Sequence, residues 1–146
     1  MNPLRKSLPL VISVAAVGLI VGSFAVPAFT GYVERSRVAR AVSDIGTMSL
    51  KLHRWQQDVH LLPENLAQAG IFGVDPWGRP YVYLRAADAR RAELRKDDER
   101  VPINTDFDLY SLGPDGVSAV ALPAAPSRDD VVRAANGAYI GLAANY

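Results

Sequence analysis

From Ser7 to Val33 the chain carries no charged side chain for 27 residues, and almost all of its charge lies after Glu34. A membrane-spanning helix needs about 20 mainly apolar residues, so this stretch is long enough to cross a bilayer. The apolar region of a cleaved secretory signal runs to only about 7–15 residues, shorter than Leu10 to Phe29. Val21-Gly22-Ser23 and Ser23-Phe24-Ala25 are nevertheless passable signal-peptidase sites. A buried core helix fits less well. The 146 residues make one domain and little more, and the remainder is too small to wrap a helix that is apolar all round.

Gly18, Gly22 and Pro27 interrupt the apolar stretch. Proline inside a helix removes a hydrogen bond and clashes with the preceding turn, so a kink or local melting is expected near Gly22 to Pro27. Backbone exposed there in lipid needs a neighbouring subunit to satisfy it. Beyond it, Arg35 to Trp55 reads as an amphipathic helix, with Val38, Val42, Ile45, Met48 or Ser49, and Leu52 at three- and four-residue spacing. No turn signal except Thr30-Gly31 separates the two segments, so one continuous helix is expected.

The remaining chain divides into short elements. Leu62-Pro63-Glu64-Asn65-Leu66 starts a short helix that Gly70 ends. Pro80 to Leu84 and Asp106 to Leu112 read as strands, the second by its alternation. Between them, Arg85 to Arg100 holds six basic and five acidic residues and reads as a solvated, charged hairpin turning at Asp97-Asp98. Gly113-Pro114-Asp115-Gly116 is a turn. Val117 to Leu122 is expected to be a last short strand, and Asp129 to Ala135 one or two helical turns. These elements give an α+β chain: a membrane anchor over residues 1–33 and a soluble α+β domain over 34–146.

Several chemistries are missing. No cysteine is present, which excludes disulfides, thiolate catalysis and cysteine-ligated zinc. The net charge is +1, so there is no nucleic-acid footprint. His53 and His60, the only histidines, form no HExxH pattern, and neither a phosphate loop nor a G-x-S-x-G motif occurs. The chain does not read as an enzyme.

Three segments together resemble one family. Val26-Pro27-Ala28-Phe29 with Tyr32-Val33-Glu34-Arg35-Ser36-Arg37 resembles the stem of type IV pilins and pseudopilins. Asp75-Pro76-Trp77-Gly78-Arg79-Pro80-Tyr81-Val82-Tyr83-Leu84 is similar to the DPWG segment of the major, G-type pseudopilin of type II secretion. Phe107 to Gly116 resembles that family's D-[IL]-[WY]-S-x-G-x-DG segment. The C-terminal part, from Ser127 to Arg133 and Gly137 to Ala143, resembles a pilin-like subgroup that also carries counterparts of Arg95-Lys96-Asp97 and Pro102-Ile103-Asn104. Asp75, Pro76, Trp77 and Gly78 have a physical role independent of the resemblance. The aspartate bonds its own backbone, the proline presets the turn, and the glycine allows positive φ. Trp77 is then expected to cover one end of the sheet, substantially buried.

The resemblance implies a pilin-like fold in which the long helix packs on a small antiparallel sheet. It implies a single-pass protein of the bacterial inner membrane with its C-terminal domain in the periplasm or in an envelope filament. The implied partners are other pilin-like subunits and the inner-membrane assembly platform, with self-association through the stem. It also implies calcium in the C-terminal loop, carried over onto Asp115 and Asp130, although Val117 to Ser127 lacks acids and Asp115 alone suffices as a turn former. One departure is plain. An ungapped alignment on Pro27 puts Arg5, Lys6 and Leu10 where the prepilin signal has glycine, phenylalanine and glutamate. The prepilin peptidase is therefore expected not to cut here. The missing signal leaves open an alternative, an uncleaved anchored binding or accessory module that does not polymerise.

Overall fold

The computed structural model describes the backbone of residues 4–146 and the side chains of 29–146, in both cases without 91 and 99. Helix α1 runs over Leu4–Val59. Four short strands follow: β1 (Val82–Arg85), β2 (Phe107–Ser111), β3 (Val131–Ala134) and β4 (Tyr139–Leu142). They pair antiparallel in chain order, β1-β2-β3-β4. The chain divides into two compact units, Met1–Ser36 and Arg37–Tyr146. Within the first, α1 is unbroken through Gly22 to Pro27, so the local melting expected there does not occur, and the side chains of residues 4–28, Pro27 among them, fall outside the described ones. Among the described residues, no helix is long and apolar enough to cross a membrane.

The second unit is an α+β domain in which one long helix packs on a small antiparallel sheet, as the resemblance implied, with the stripe that the periodicity marked turned inward. Ala41, Ile45, Met48 and Leu52 recur every three or four residues and are buried, while Val38 and Val42 flank them half-buried. This stripe meets Phe107 and Leu109 of β2, Val131 of β3, and Ile71 and Tyr81. Alternate residues of a strand point to opposite faces. Accordingly Val132 and Ala134 pack on the other face against Ile103, Leu122 and Ala143, with Tyr110 and Tyr139 beside them. The sheet is therefore covered twice, by α1 on one side and by loops on the other.

Double coverage explains the first of two corrections. Asp129 to Ala135 does not form helical turns; Val131–Ala134 is strand β3, buried at all four positions. A strand buried on both faces reads as a continuous apolar run and loses its alternation. Its partner β4, for which no element was expected, follows a tight 3-10 turn at Ala135–Gly137 in which Ala135, Asn136 and Gly137 all take positive φ. Val117 to Leu122, in turn, is not a strand. Only Ala121 makes a bridge there, parallel to Lys96.

The charged segment turns at Asp97-Asp98 as expected. One bridge closes it, Lys96↔Pro102, and the Asp97 carboxylate accepts the Val101 N–H. The segment is not uniformly solvated, because Arg95 is 2% exposed. The short helix ending at Gly70 starts later than Leu62. It is a 3-10 turn over Leu66–Ala69, capped by Asn65, with Gly70 left-handed at φ 66.

Trp77 is half-buried at the margin of the core, whereas Phe107 is fully buried at its centre. Phe107→Ala should cost about 3–5 kcal/mol, the usual range for truncating a buried aromatic. Trp77→Ala should cost less. Urea unfolding of the two variants beside the parent checks the order.

Candidate functional site

The largest fully buried side chain among the described residues is a cation. Arg133 on β3 is 1% exposed and lies between the sheet and α1. Its guanidinium donates to Asp106 Oδ1 at 2.9 Å and Oδ2 at 2.6 Å, to the Phe107 carbonyl at 3.0 Å, and to Ser49 Oγ at 3.0 Å. It sits 4.0 Å from the Phe107 ring centroid. A buried ion is tolerable only when paired and hydrogen-bonded on all sides, and the fold supplies those partners from α1, β2 and the segment before β2. This accounts for a polar residue, Ser49, in the apolar stripe of α1. His53 joins the cluster, its ring 5.7 Å from that of Phe107 and its Nε2 3.5 Å from Arg133. Burial pushes the Asp106 carboxyl upward, but the Arg133 hydrogen bonds and charge outweigh it, so its pKa lies below the usual value.

A second buried cation occupies the opposite face. Arg95 donates to Asp130 Oδ2 at 2.6 Å and to the Ala119 carbonyl at 2.6 Å, and it also bonds Ser118. It lies 4.5 Å from the Tyr110 ring centroid. Its backbone N–H donates to Asp108 Oδ2, and Asn104 donates to Asp108 Oδ1. Burial dominates for both carboxyls here and holds their pKa values above the usual range, against the opposing pull of Ser118 and Arg95 on Asp130, and of Asn104 and Arg95 on Asp108.

The two turns that carry the family resemblance meet in space. Asp75 Oδ1 accepts the N–H groups of Trp77 at 3.0 Å and Arg79 at 2.9 Å, closing the turn, while Gly78 takes φ +87. Asp75 Oδ2 accepts the Ser111 hydroxyl at 2.6 Å, and Ser111 Oγ accepts the Gly113 N–H. Arg79 donates to the carbonyls of Gly113 at 2.7 Å and Pro114 at 3.2 Å. Gly113 has no alternative at its position. It has φ +63, and an added Cβ would come 2.4 Å from the Asp129 carbonyl oxygen. Asp75, Pro76, Trp77 and Gly78 thus form a latch between the start of the sheet and the turn after β2.

Asp115 and Asp130 are not brought together in this way. The Asp115 carboxylate accepts the Val117 N–H, and its backbone N–H faces Asp129 Oδ2 at 3.4 Å. Asp130 Oδ2 is held by Arg95 and Ser118, while Oδ1 is buried without a protein partner. Among the described residues no group of three histidines, cysteines or carboxylates could hold a metal ion. Calcium requires six to eight oxygens, and a guanidinium already neutralises the buried carboxylate, so this donor set does not fit the ion. Of the stem residues Gly18, Gly22 and Pro27 only the backbone is described, within α1.

Clefts open on the surface of the second unit, and two of them are the larger. One of about 560 Å³ is lined by Asp97, Asp98, Leu122, Arg128 and Tyr146, among others, and one of about 480 Å³ by Leu66, Ile71, Phe72, Tyr81 and Tyr83, among others. Neither contains a histidine. The groups with shifted carboxyls lie inside the fold rather than in these clefts.

Arg133 and Asp106 give a signed pH test. A carboxyl with a depressed folded pKa contributes stability that is complete above its unfolded pKa and is lost as pH falls through the folded one. Asp106→Asn should therefore lower stability at neutral pH and flatten the loss on acidification below the ordinary aspartate range. Asp108 and Asp130, with raised values, act with the opposite sign, so Asp130→Asn should not flatten that acid limb. Chemical denaturation across the pH series distinguishes the two variants.

No family model matches the chain, and neither a curated protein nor a solved structure does.

Proposed function

We propose that the protein is a membrane-anchored structural subunit of a pseudopilin-like assembly, of the type II secretion or type IV pilus kind. In this reading the apolar stem holds it in the bacterial inner membrane, and the α+β unit stands in the periplasm. The observation that carries the reading is the latch. The Asp75-to-Gly78 turn and the Ser111-to-Gly116 turn, the two segments that resemble the major pseudopilin, bond directly to one another through Asp75, Ser111 and Arg79. Residues recognised separately in the sequence form one interlocked unit, which is what shared architecture requires. The ionisable groups also support it, since the shifted carboxyls are spent on packing. The partners are pilin-like subunits and an inner-membrane platform. Association runs through stem packing, because lipid tails are as apolar as the stem and cannot drive it. Calcium has no part in this reading, since Arg95 occupies Asp130.

A second reading has its own observation. Arg5 and Leu10 stand where prepilins carry the cleavage glycine and the registering glutamate. An uncleaved, anchored module that binds a partner without polymerising would lack both.

Gly18 and Gly22 lie four apart, a small-xxx-small spacing that lets helix backbones approach. Replacing both by leucine should abolish stem-dependent crosslinking in membranes while insertion and the soluble fold persist. Unaltered crosslinking would remove the glycines from the reading, and a parent chain that never self-associates beside co-expressed pilin-like partners would favour the second. Melting curves in millimolar calcium and in chelator should overlay. A calcium-dependent rise that Asp115→Ala abolishes would restore the metal site.

A further inference from the structure

The uncharged stretch from Ser7 to Val33 is bracketed by cations, Arg5 and Lys6 before it and Arg35 after it. Helix α1 is unbroken between them. At about 1.5 Å per residue, Lys6 to Arg35 spans about 43 Å, against about 40–45 Å for a bilayer with its headgroup layers. Leu10 to Phe29 alone spans about 30 Å, the thickness of the hydrocarbon layer. With the stem in a membrane, Phe29 therefore stands at the hydrocarbon edge and Arg35 among the headgroups.

The side chains there are arranged for such a boundary. Phe29 is 68% and Tyr32 66% exposed, and Arg35 is exposed as well. Residues three apart are neighbours on a helix surface, so the three form one strip. Glu34 lies off it, about 100° round the helix from Arg35. Among the described residues Arg35 makes no ion pair. Its guanidinium instead turns back along the helix, with Nη1 3.6 Å from where a Cβ would stand on Gly31. Long side chains on a helix lean toward its N-terminus, here toward the apolar stretch, and Gly31 leaves the room. A cationic side chain in this pose lays its methylenes on an apolar surface and holds its charge at the margin.

We infer that the strip Phe29–Tyr32–Arg35 is a lipid contact, with Arg35 bound to the phosphate of an anionic phospholipid in the headgroup layer beyond Phe29. Tyrosine suits that layer, since its ring is apolar and its hydroxyl is polar. A guanidinium donates paired hydrogen bonds to phosphate oxygens. An anionic lipid is preferred to a zwitterionic one, whose own ammonium competes for the phosphate. The contact fixes both the depth of α1 and its rotation about its axis. It deepens the anchored-stem reading above and rests on it.

The absence of cysteine allows one labelled thiol in the full-length chain. Ser36→Cys, carrying a fluorophore at this exposed position, is reconstituted into vesicles of phosphatidylglycerol and of phosphatidylcholine, with nitroxides on the headgroups or in the acyl chains. Headgroup nitroxides should quench the label, more strongly in phosphatidylglycerol, and Arg35→Gln should abolish that preference. Gly31→Leu, which fills the space beside the guanidinium, should abolish it too. Gly31→Ala should keep it, because a Cβ there meets Arg35 at an ordinary 3.6 Å. A label on Phe29→Cys should respond to the acyl-chain nitroxide instead. Equal quenching in the two lipids, or a preference that survives Arg35→Gln, overturns the inference; the anchored stem still stands if the chain stays with alkali-washed vesicles. A Ser36→Cys label shielded from headgroup nitroxides and from aqueous iodide alike means that a protein neighbour covers the strip, which also overturns it. Loss of the chain from alkali-washed vesicles overturns both readings.

Discussion

A guanidinium beneath a helix organises this domain. Arg133 reaches from β3 under α1, and its bonds to Ser49, Asp106 and the Phe107 carbonyl tie the helix, the third strand and the entrance to the second strand to a single point. Leaving such a cation unpaired inside a fold costs several kcal/mol, so each partner must arrive together with the others. Strand order and helix placement are thereby linked: α1 cannot rotate away from Ser49, nor β2 slip in register, without stranding the charge.

The opposite face repeats the device. Arg95 reaches in from a loop, stacks over Tyr110 and pairs with Asp130 at the start of β3. The aromatic residues of β2 thus carry one cation on each side, Phe107 beneath the helix and Tyr110 beneath the loops. With strands of only four or five residues, the sheet has little ladder to hold it. The two arginine clusters and the Asp75–Ser111 latch supply the long-range ties that longer strands would otherwise provide.

Much of this architecture was legible in the sequence. The helix stripe followed from three- and four-residue spacing, and β2 from its alternation. The Asp75 turn followed from residues whose local chemistry admits few conformations. What escaped has a common cause. Val131-Val132-Arg133-Ala134 is buried on both faces, so it shows no alternation, and its arginine looks like the exposed residue of a helical turn. Arg95 was hidden in the same way, since among six basic and five acidic neighbours nothing local marks the one that turns inward. The one available signal was a lone cation set in an apolar run at Arg133. Asp115 and Asp130 shared a resemblance but not a site, because burial of Asp130 depends on Arg95, a residue 35 positions away.

The functional account rests on a stem that stays attached to this domain. The sequence offers both a span and passable cleavage points near its middle, and these lead to opposite fates. The intact mass and N-terminal sequence of the protein recovered from alkali-washed membranes decide between them. An assembly subunit without the prepilin glycine should appear in the membrane pellet with the apolar stretch retained and no N-methylated terminus at Lys6. A soluble product beginning just after Ser23 or Ala25, with nothing left in the membrane, would contradict the account and make the domain a secreted one.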